Sequence, residues 1–384
     1  MYELTQEHIM LRNMVRDLAQ NKVAPRAAEI DEKAEWPWDI ADALASADLF
    51  GLPFPEQYGG TGTDLLSLVI VVEELAKVCA STALMIGGQG LGSFPIAIAG
   101  TEEQKQRWFP KLASGQHLAA FALTEPGAGS DPAHMSTRAV RDGDSYVLNG
   151  QKIFITHAGV AHIYTVFATV DPAKGSRGQA CFVVEKGTPG FSVGKMESKM
   201  GIRASPTGEL IFEDCRVPIE NLLGKEGDAF KIAMQTLDKS RPAVAAQALG
   251  IAQGATDFAA RYATERVQFG QPIAQFQGIQ FMLADMETKT AAARELVYKA
   301  ATLVQKGDRE ASKYSAMCKL FASDVAMEVT TNAVQILGGY GYTKEYPVER
   351  MMRDAKITQI YEGTNQIQRL VVARAMLSRF DRLS

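Results

Sequence analysis

The chain has 384 residues, 46% of them hydrophobic and 22% charged, and a net charge of -4. This length exceeds what one hydrophobic core usually supports, which predicts two or three domains. The weak negative charge, without a basic stripe or tail, argues against nucleic acid as the main partner. We find no uninterrupted apolar stretch of the roughly 18 residues that a membrane helix needs, so we expect no membrane association.

The amino-terminal residues, the cysteines and the histidines are typical of a protein from a reducing cellular compartment. Residues 1–10 carry acids and a histidine instead of a basic head and an apolar core, so we expect no secretory signal. The four cysteines are far apart, which predicts buried free thiols and no disulfide framework. His157 and His162 lie five apart without an acidic companion, so no metal site is expected. A bacterial cytoplasm fits these features, although a mature protein of the mitochondrial matrix would share them.

The first part of the chain predicts an all-helical domain over residues 1–118. Apolar residues recur at helical spacing over residues 4–18, and a second helix is expected around residues 40–47. Asp64 can cap a long apolar helix over residues 65–78. Thr101 and Gln104 form the capping pattern that opens another helix.

The middle of the chain predicts a β-domain over residues 119–226. Short β-favouring runs alternate with turn residues, and this spacing suggests a small antiparallel barrel or sandwich. Asn149-Gly150 between two such runs predicts a hairpin turn. The predicted strands are residues 145–148, 153–156, 163–170, 180–185, 191–193 and 209–212.

The last part of the chain predicts an antiparallel helical bundle over residues 227–384, with long amphipathic runs at 285–304 and 312–336. Two further amphipathic runs, at 351–360 and 367–377, flank a short turn. Gly363 breaks the helical period there, and Thr364 can cap the next helix. The turn therefore presents one carboxylate, that of Glu362.

Glu362 is a candidate general base. A carboxylate directed from a tight turn into an apolar cleft has a raised pKa and can accept a proton. From spacing alone, a solvated loop glutamate explains the same pattern.

Three other stretches are candidate ligand-binding segments. Residues 121–131 (FALTEPGAGSD) contain small and hydroxyl residues that can bring backbone N–H groups against a ring or a phosphate, or form an ordinary loop. Arg266 can bind a pyrophosphate through two hydrogen bonds of its guanidinium group. Alternatively, it is a C-terminal arginine that interacts favourably with the helix dipole. Residues 335–342 (QILGGYGY) are a helix stop or a close backbone approach to a ligand.

Taken together with residues 237–241 (LDKSR) and 361–364 (YEGT), these stretches resemble the acyl-CoA dehydrogenases, and the similarity extends nearly from end to end. The resemblance implies a mostly α protein with a central β-domain: an N-terminal helical domain, a middle antiparallel β-barrel and a C-terminal four-helix bundle, assembled as a homotetramer. It also implies FAD between the β-domain and the bundle, with the adenosine end of the cofactor reaching a neighbouring subunit.

The resemblance implies the following site residues. The flavin ring is contacted by Phe121, Leu123, Thr124, Gly129, Ser130, Phe154, Ile155 and Thr156. The pyrophosphate and adenosine are held by Arg266, Gln268, Phe269 and Gln277, with Gln335, Ile336, Gly338 and Gly339 contributed by the partner subunit and a further contact from Thr364 and Gln366. The acyl-CoA site is lined by Ser130, Asp238, Arg241 and Gly363. Many relatives have Trp in place of Phe154.

The implied reaction is α,β-dehydrogenation of a short- or medium-chain, possibly branched, acyl-CoA to the trans-2-enoyl-CoA. Glu362 takes the α proton, hydride goes to the flavin, and the electrons pass to an electron-transferring flavoprotein. Some relatives place the base next to the arginine that matches Arg241, but Ser240 at that position cannot serve. An acyl-CoA oxidase, a flavin monooxygenase and a non-catalytic acyl-CoA or FAD-binding protein are the alternatives.

Overall fold

The computed structural model describes residues 3–378 and 380 of the chain. Helices come first, then strands, then helices again, as predicted from the sequence. The N-terminal helices are α1 (Gln6–Leu18), α2 (Ala27–Lys33), α3 (Trp38–Ser46), α4 (Leu65–Ala76), α5 (Ala80–Ala99) and α6 (Glu102–Ala113).

The predicted helix caps at Asp64 and Thr101 are confirmed. The Asp64 carboxylate accepts a hydrogen bond from the Ser67 backbone N–H at 2.8 Å, which satisfies a free donor in the first turn of α4. Thr101 and Gln104 exchange hydrogen bonds between side chain and backbone at the start of α6. These ends are therefore fixed by local contacts.

Helix α5 is long and apolar, but it contains no uninterrupted apolar stretch of the length that the sequence analysis looked for. Among the described residues it is the one helix long and apolar enough to cross a membrane, with a mean hydropathy of 1.3 over its best window. Its glycine, serine and glutamine residues interrupt the apolar run without adding charge, which is why a search for an uninterrupted stretch missed it. Because 72% of that window is buried inside the fold, the helix has the burial typical of a core helix.

The middle of the chain forms a β-domain around a single eight-stranded sheet. The hydrogen-bonded order is β6-β7-β3-β2-β4-β5-β8, with β1 added beside β4. Pairing is antiparallel except for β1 and one residue pair of β2, which run parallel to β4. The strands are β1 (Ala119–Ala122), β2 (Arg138–Asp142), β3 (Ser145–Thr156), β4 (Ile163–Thr169), β5 (Gln179–Glu185), β6 (Phe191–Met196), β7 (Thr207–Pro218) and β8 (Leu222–Leu223).

The prediction of a hairpin at Asn149-Gly150 was wrong, because β3 runs through that pair without turning. The actual β2–β3 turn lies at Gly143 and Asp144. The pairing of β3 with β7 shifts register between Leu148 and Gly150, which marks a β-bulge. Gly150 has φ 148°, and a Cβ there would lie 2.7 Å from Thr137 Cα, so close packing against Thr137 explains the glycine.

The C-terminal part is a helical bundle of α7 (Ala229–Glu265), α8 (Gln277–Gln305), α9 (Ala311–Leu337), α10 (Val348–Thr358) and α11 (Asn365–Leu377). A short hairpin of β9 (Val267–Gln268) and β10 (Gln271–Pro272) joins α7 to α8.

Helix α7 packs directly against α4 of the N-terminal helices. A Cβ on Gly250 would lie 2.3 Å from the Glu73 carbonyl oxygen, and one on Gly254 would lie 2.1 Å from that of Lys77. The absence of side chains at these glycines lets the two helix backbones approach closely. This contact brings the N-terminal helices and the bundle together around one cavity.

Candidate active site

Glu362 lies in the turn between α10 and α11 and has a left-handed backbone conformation, with φ 53°. Non-glycine residues adopt this conformation at a cost, so surrounding contacts must hold it. The Gln368 side-chain amide donates to the carbonyl oxygens of Glu362 at 3.2 Å and of Gly363 at 2.8 Å. Thr364 caps α11 by accepting a hydrogen bond from the Ile367 backbone N–H at 3.3 Å, as predicted.

The Glu362 carboxylate accepts a hydrogen bond from the Ser240 hydroxyl, which lies on α7. Burial raises the pKa of Glu362 to about 7, while the Ser240 hydrogen bond and the charges of Arg241 and Lys319 oppose that rise. A general base works best when its pKa lies near the working pH. Glu362 is therefore suited to accept a proton near neutrality.

Arg241 and Asp238 join Glu362 at the same place, as predicted for the substrate site. Arg241 donates through Nε to the Glu362 carbonyl oxygen at 3.2 Å and through a terminal nitrogen to Asp238 Oδ1 at 2.9 Å. Both residues lie one turn apart on α7, so that helix brings a guanidinium and a carboxylate to the turn that carries the candidate base. Ser130 is exposed on the loop after β1 and makes no hydrogen bond to Glu362 among the described residues.

A narrow apolar cavity opens beside Glu362 between α4, α5 and α7. Its empty volume, including the mouth, is about 230 Å³. A water-sized sphere can enter about 10 Å³ of it, which is the size that holds a single water molecule. The cavity is lined by Val72, Ala83, Leu84, Gly87, Ala243, Val244, Gln247 and Glu362.

Gln247 and Lys319 belong to this region but were missed in the sequence. The Tyr361 hydroxyl donates to Gln247 Oε1, and the Gln247 amide donates to the Ala80 carbonyl oxygen at 2.9 Å, so both polar ends of Gln247 are satisfied. Lys319 is fully buried on α9. The only available sequence signal was a charged or amide residue within an otherwise small and apolar helix face.

The predicted flavin segments, the loop after β1 and strand β3, also meet in the fold. The Ile153 backbone N–H donates to the Thr124 carbonyl oxygen at 2.9 Å. Phe154 is 59% exposed and has φ 56°, so its ring is directed out of the sheet. The side chains of Leu123 and Ile155 are buried in the core, which leaves their backbone groups for any ligand contact.

A buried ion pair connects that loop to β3. Lys152 Nζ donates to Glu125 at 2.7 Å and to the Leu123 carbonyl oxygen at 3.1 Å, and the side chains of both charged residues are almost fully buried. Glu125 also accepts from the backbone N–H groups of Ser136 and Thr137. These bonds give the loop a defined position beside Phe154.

A second, more open cavity has an empty volume, including its mouth, of about 850 Å³ and is lined in part by Arg266, Gln268, Ile336, Gly338 and Gly339. The sequence analysis assigned Ile336, Gly338 and Gly339 to the partner subunit, but not Arg266 and Gln268. The structure brings all five residues together on one chain. Both sets therefore line the same cavity. The remaining predicted residues of this group, Phe269, Gln277, Gln335 and Gln366, are exposed and do not line the cavity.

Comparison with known proteins decides the family. Three family models match the chain. The model "Acyl-CoA dehydrogenase, N-terminal domain" matches residues 5–116, and "Acyl-CoA dehydrogenase, middle domain" matches residues 120–215. The model "Acyl-CoA dehydrogenase, C-terminal domain" matches residues 227–377. The chain belongs to the acyl-CoA dehydrogenase family. Its sequence is 52% identical over 373 residues to the short-chain specific acyl-CoA dehydrogenase of Clostridium acetobutylicum, covering 97% of this chain and 98% of that protein.

Solved acyl-CoA dehydrogenase structures share the fold. Butyryl-CoA dehydrogenase from Megasphaera elsdenii is 50% identical, with a TM-score of 0.96 and coverage of 98% of this chain and 100% of that one. A chain from the structural work on the electron transferring flavoprotein of Acidaminococcus fermentans is 53% identical, with a TM-score of 0.96 and coverage of 98% and 99%. These matches confirm the predicted helical, β and helical architecture.

Acyl-CoA dehydrogenases are FAD-dependent, and the residues present here fit that cofactor. A Cβ on Gly127 or Gly129 would meet nothing within 4 Å, and the same is true of Gly338 and Gly339, so backbone groups are open to a ligand at both places. Arg266 supplies a guanidinium beside the second pair, a donor set suited to phosphate. The exposed ring of Phe154 offers an aromatic surface to a flat ligand.

Proposed function

We propose that this protein removes two hydrogens from the α and β carbons of a short, possibly branched, acyl-CoA. The observation that carries the proposal is the position of Glu362, at an apolar cavity with its carboxylate held by Ser240 and its pKa raised by burial. The identity of 52% to a short-chain specific enzyme and of 50% to a butyryl-CoA dehydrogenase supports a short substrate.

The residues of this chain have distinct tasks in the reaction. The apolar residues around the cavity would line the acyl chain and exclude water, and Glu362 would accept the α proton at its carboxylate. In the described part of the chain the Glu362 backbone N–H forms no hydrogen bond, so it is free to donate to a thioester oxygen. Such a donor stabilises negative charge as it develops on that oxygen. Arg241, through the Glu362 carbonyl oxygen, keeps the turn in place.

We assign the binding of FAD to two surfaces. Phe121, Thr124, Gly129, Ser130, Phe154 and Thr156 would face the flavin, while Arg266, Gln268 and the backbone at Gly338 and Gly339 would hold the pyrophosphate and adenosine. When bound, FAD accepts the β hydrogen as a hydride equivalent. Because none of the proposed flavin-facing residues lines this second cavity, we assign it to the cofactor of a neighbouring subunit.

That assignment requires an oligomer, and we propose a homotetramer. Large apolar side chains remain exposed on the bundle, and a partner subunit would cover them. They include Val267, Phe269, Phe281, Tyr342, Ile360, Leu370 and Leu377. Light scattering that gives a mass four times 41.7 kDa would support this assembly, and a mass equal to one chain would contradict it.

We further propose an electron-transferring flavoprotein as acceptor, supported by the 53% identical chain from work on such a protein. The relatives of bacterial origin support a bacterial cytoplasmic location. The domain boundaries we propose are residues 1–118, 119–226 and 227–384. They agree with the three ranges matched to the family.

The deciding experiment adds acyl-CoAs anaerobically to the FAD-loaded protein and follows the flavin absorbance. We expect bleaching with butyryl-CoA and isobutyryl-CoA and slower bleaching with octanoyl-CoA. Glu362→Gln should keep FAD and bind acyl-CoA but lose most of the bleaching rate. Near wild-type bleaching in that variant would refute Glu362 as the base.

A second measurement separates the dehydrogenase from the oxidase on the same fold. Oxygen uptake is followed with butyryl-CoA and no artificial acceptor. Slow uptake supports the dehydrogenase, and fast peroxide formation would identify an oxidase. A protein that binds acyl-CoA without any flavin bleaching would be a binding protein.

A further inference from the structure

We propose that Lys319 is the positioning residue of this site: its buried ammonium group fixes the turn that carries Glu362 and keeps the carboxylate of that residue ionised. The inference rests on the proposed function, because it assigns Lys319 a task only if Glu362 is the base. Lys319 lies on α9, 43 positions before Glu362 in the sequence, and tertiary packing alone brings the two residues together.

The hydrogen bonds of Lys319 are directed at the turn itself. Its Nζ donates to the Gly363 carbonyl oxygen at 2.9 Å and to Asn365 Oδ1 at 2.9 Å. The Asn365 amide in turn donates to Ser323 Oγ at 2.8 Å and to Asp324 Oδ1 at 2.7 Å, both on α9. The turn is thus bound to α9 as well as to Ser240 and Arg241 of α7.

These contacts hold a strained segment. Glu362 has φ 53° and Gly363 has φ 91°, so two consecutive residues are left-handed. Arg241 binds the carbonyl oxygen of Glu362, and Lys319 binds that of Gly363. Each of the two carbonyl oxygens therefore accepts a hydrogen bond from one cationic side chain. These two bonds fix the backbone of the turn and so the direction of the Glu362 side chain.

Stability alone does not explain a lysine at this position. Lys319 is fully buried, and among the described residues its ammonium group forms no ion pair with a carboxylate. Burying a charge without an ion partner costs free energy, and an uncharged donor could make the same two hydrogen bonds. The benefit of the charge lies at Glu362, whose ionised form it favours, and burial lowers the pKa of Lys319 itself to about 7.

The other charges around Glu362 do not replace it. Arg241 also favours the ionised carboxylate, but Arg241 is paired with Asp238, which weakens its effect. The charged or titratable groups that face Glu362 or its two cations are Asp238 and Arg241 from α7, Cys318, Lys319 and Asp324 from α9, and Tyr361 from the turn.

The test measures the rate of flavin bleaching by butyryl-CoA between pH 5 and 9 in the FAD-loaded protein. Three variants are compared with wild type: Lys319→Met, Lys319→Arg and Asn365→Ala. Removing the cation should move the acid limb of the pH–rate profile upward by about one pH unit, since a nearby opposite charge shifts a pKa by roughly 1–3 units. Because the pKa of Glu362 is about 7, this shift alone should slow bleaching about fivefold at pH 7. Lys319→Arg keeps a cation at this position and should return the acid limb to its wild-type pH.

Asn365→Ala is the matched control, because it removes an anchor of the same turn and leaves the cation in place. It should slow bleaching without moving the acid limb. If Lys319→Met does not fold, Lys319→Gln, which can still donate a hydrogen bond, serves in its place.

The experiment distinguishes failure of the inference about Lys319 from failure of the proposed function. A slower Lys319 variant with an unmoved acid limb would overturn the inference, and so would a variant within twofold of wild type. If no acyl-CoA bleaches the wild-type flavin, the proposed function is wrong and the inference falls with it. A limb that shifts for Lys319→Met and not for Asn365→Ala establishes the role of the charge.

Discussion

The Ser240 hydroxyl donates a hydrogen bond to Glu362 Oε2, across 122 positions of sequence. Ser240 lies next to Arg241 on α7 and donates to the residue that we propose as the base. The bond connects the long helix of the bundle to the turn between α10 and α11. It also stabilises the ionised carboxylate, since a hydroxyl donates to a carboxylate more strongly than to a carboxylic acid.

Ser240→Ala should raise the pKa of Glu362 further. Glu362 accepts a proton only when ionised, so a higher pKa moves the acid limb of the rate profile to higher pH. A hydrogen bond to a charged group contributes about 1.5–3 kcal/mol, which corresponds to about one to two pH units. Activity should fall at pH 6 and recover at pH 9, measured as flavin bleaching by butyryl-CoA.

Ser93→Ala serves as its control, because Ser93 is a buried serine of α5 that donates to the Gly90 carbonyl oxygen of the same helix. It should leave the profile in place. An unchanged acid limb in Ser240→Ala would show that the serine does not act on the base.

Leu84→Ala should widen the acyl cavity and shift specificity toward longer chains. Leu84 lines the cavity, and each methylene that gains a place in an apolar pocket contributes about 1–3 kcal/mol. The ratio of kcat/KM for octanoyl-CoA to that for butyryl-CoA should rise at least about tenfold. Steady-state kinetics with an artificial electron acceptor measures it.

The matched variant is Leu75→Ala on α4, fully buried and outside the cavity lining. Both substitutions should lower the free energy of unfolding by about 2–5 kcal/mol. Only Leu84→Ala should change the ratio of kcat/KM for the two substrates. An equal change of that ratio in both variants would mean that a general loosening of the fold causes it.

The buried pair of Lys152 and Glu125 should control the stability of the flavin-facing loop. Lys152→Met leaves a buried carboxylate without its cation and should cost about 3–5 kcal/mol of unfolding free energy, with loss of bound FAD. The double variant Glu125→Gln with Lys152→Met removes both charges and should cost less. Chemical denaturation and the FAD-to-protein absorbance ratio measure these effects.

The same pair predicts a dependence of stability on pH. Burial alone would raise the pKa of Glu125, but the Lys152 charge and the hydrogen bonds of Ser136 and Thr137 outweigh burial and lower that pKa to about 2. A lowered carboxyl pKa stabilises the fold above its ordinary value near 4.5, and this contribution is lost as pH falls toward 2. The double variant should lack this loss. The pair of exposed Lys195 and half-buried Glu197 is the control, since removing the exposed cation in Lys195→Met should cost about 0–1 kcal/mol.

Arg266→Ala should weaken FAD binding about 10- to 100-fold, as expected for losing a charge-assisted hydrogen bond to phosphate. The Arg266 guanidinium carbon lies 5.2 Å from the centre of the Tyr340 ring, which holds the side chain at the edge of the cavity. Arg266→Lys should recover part of the affinity, because an ammonium keeps the charge and loses the two-pronged geometry. Titration of the FAD-free protein with FAD gives the Kd.

Arg216→Ala, which removes an exposed arginine paired with Asp142, should leave FAD affinity unchanged. Equal affinity in Arg266→Ala and wild type would place the pyrophosphate elsewhere.

Sequence reading was most accurate where the controlling contacts are local. The caps at Asp64, Thr101 and Thr364 each depend on a partner three residues away, and all three are present. The hairpin at Asn149-Gly150 failed for the opposite reason. A dipeptide that favours a turn lies in the middle of a strand, because pairing with β7 and close contact with Thr137 outweigh the local preference.

By itself the sequence determined the order of helical and strand-rich segments, the helix caps, and Glu362 as the acidic residue of the turn before the last amphipathic helix. Periodicity and capping depend on neighbours along the chain, so they are readable without a fold. Only the tertiary structure decided that Ser240, Arg241 and Lys319 surround that turn, and that Arg266 and Gly338 share one cavity. A raised carboxyl pKa depends on burial and on charges brought from distant helices, and these exist only once the chain has packed.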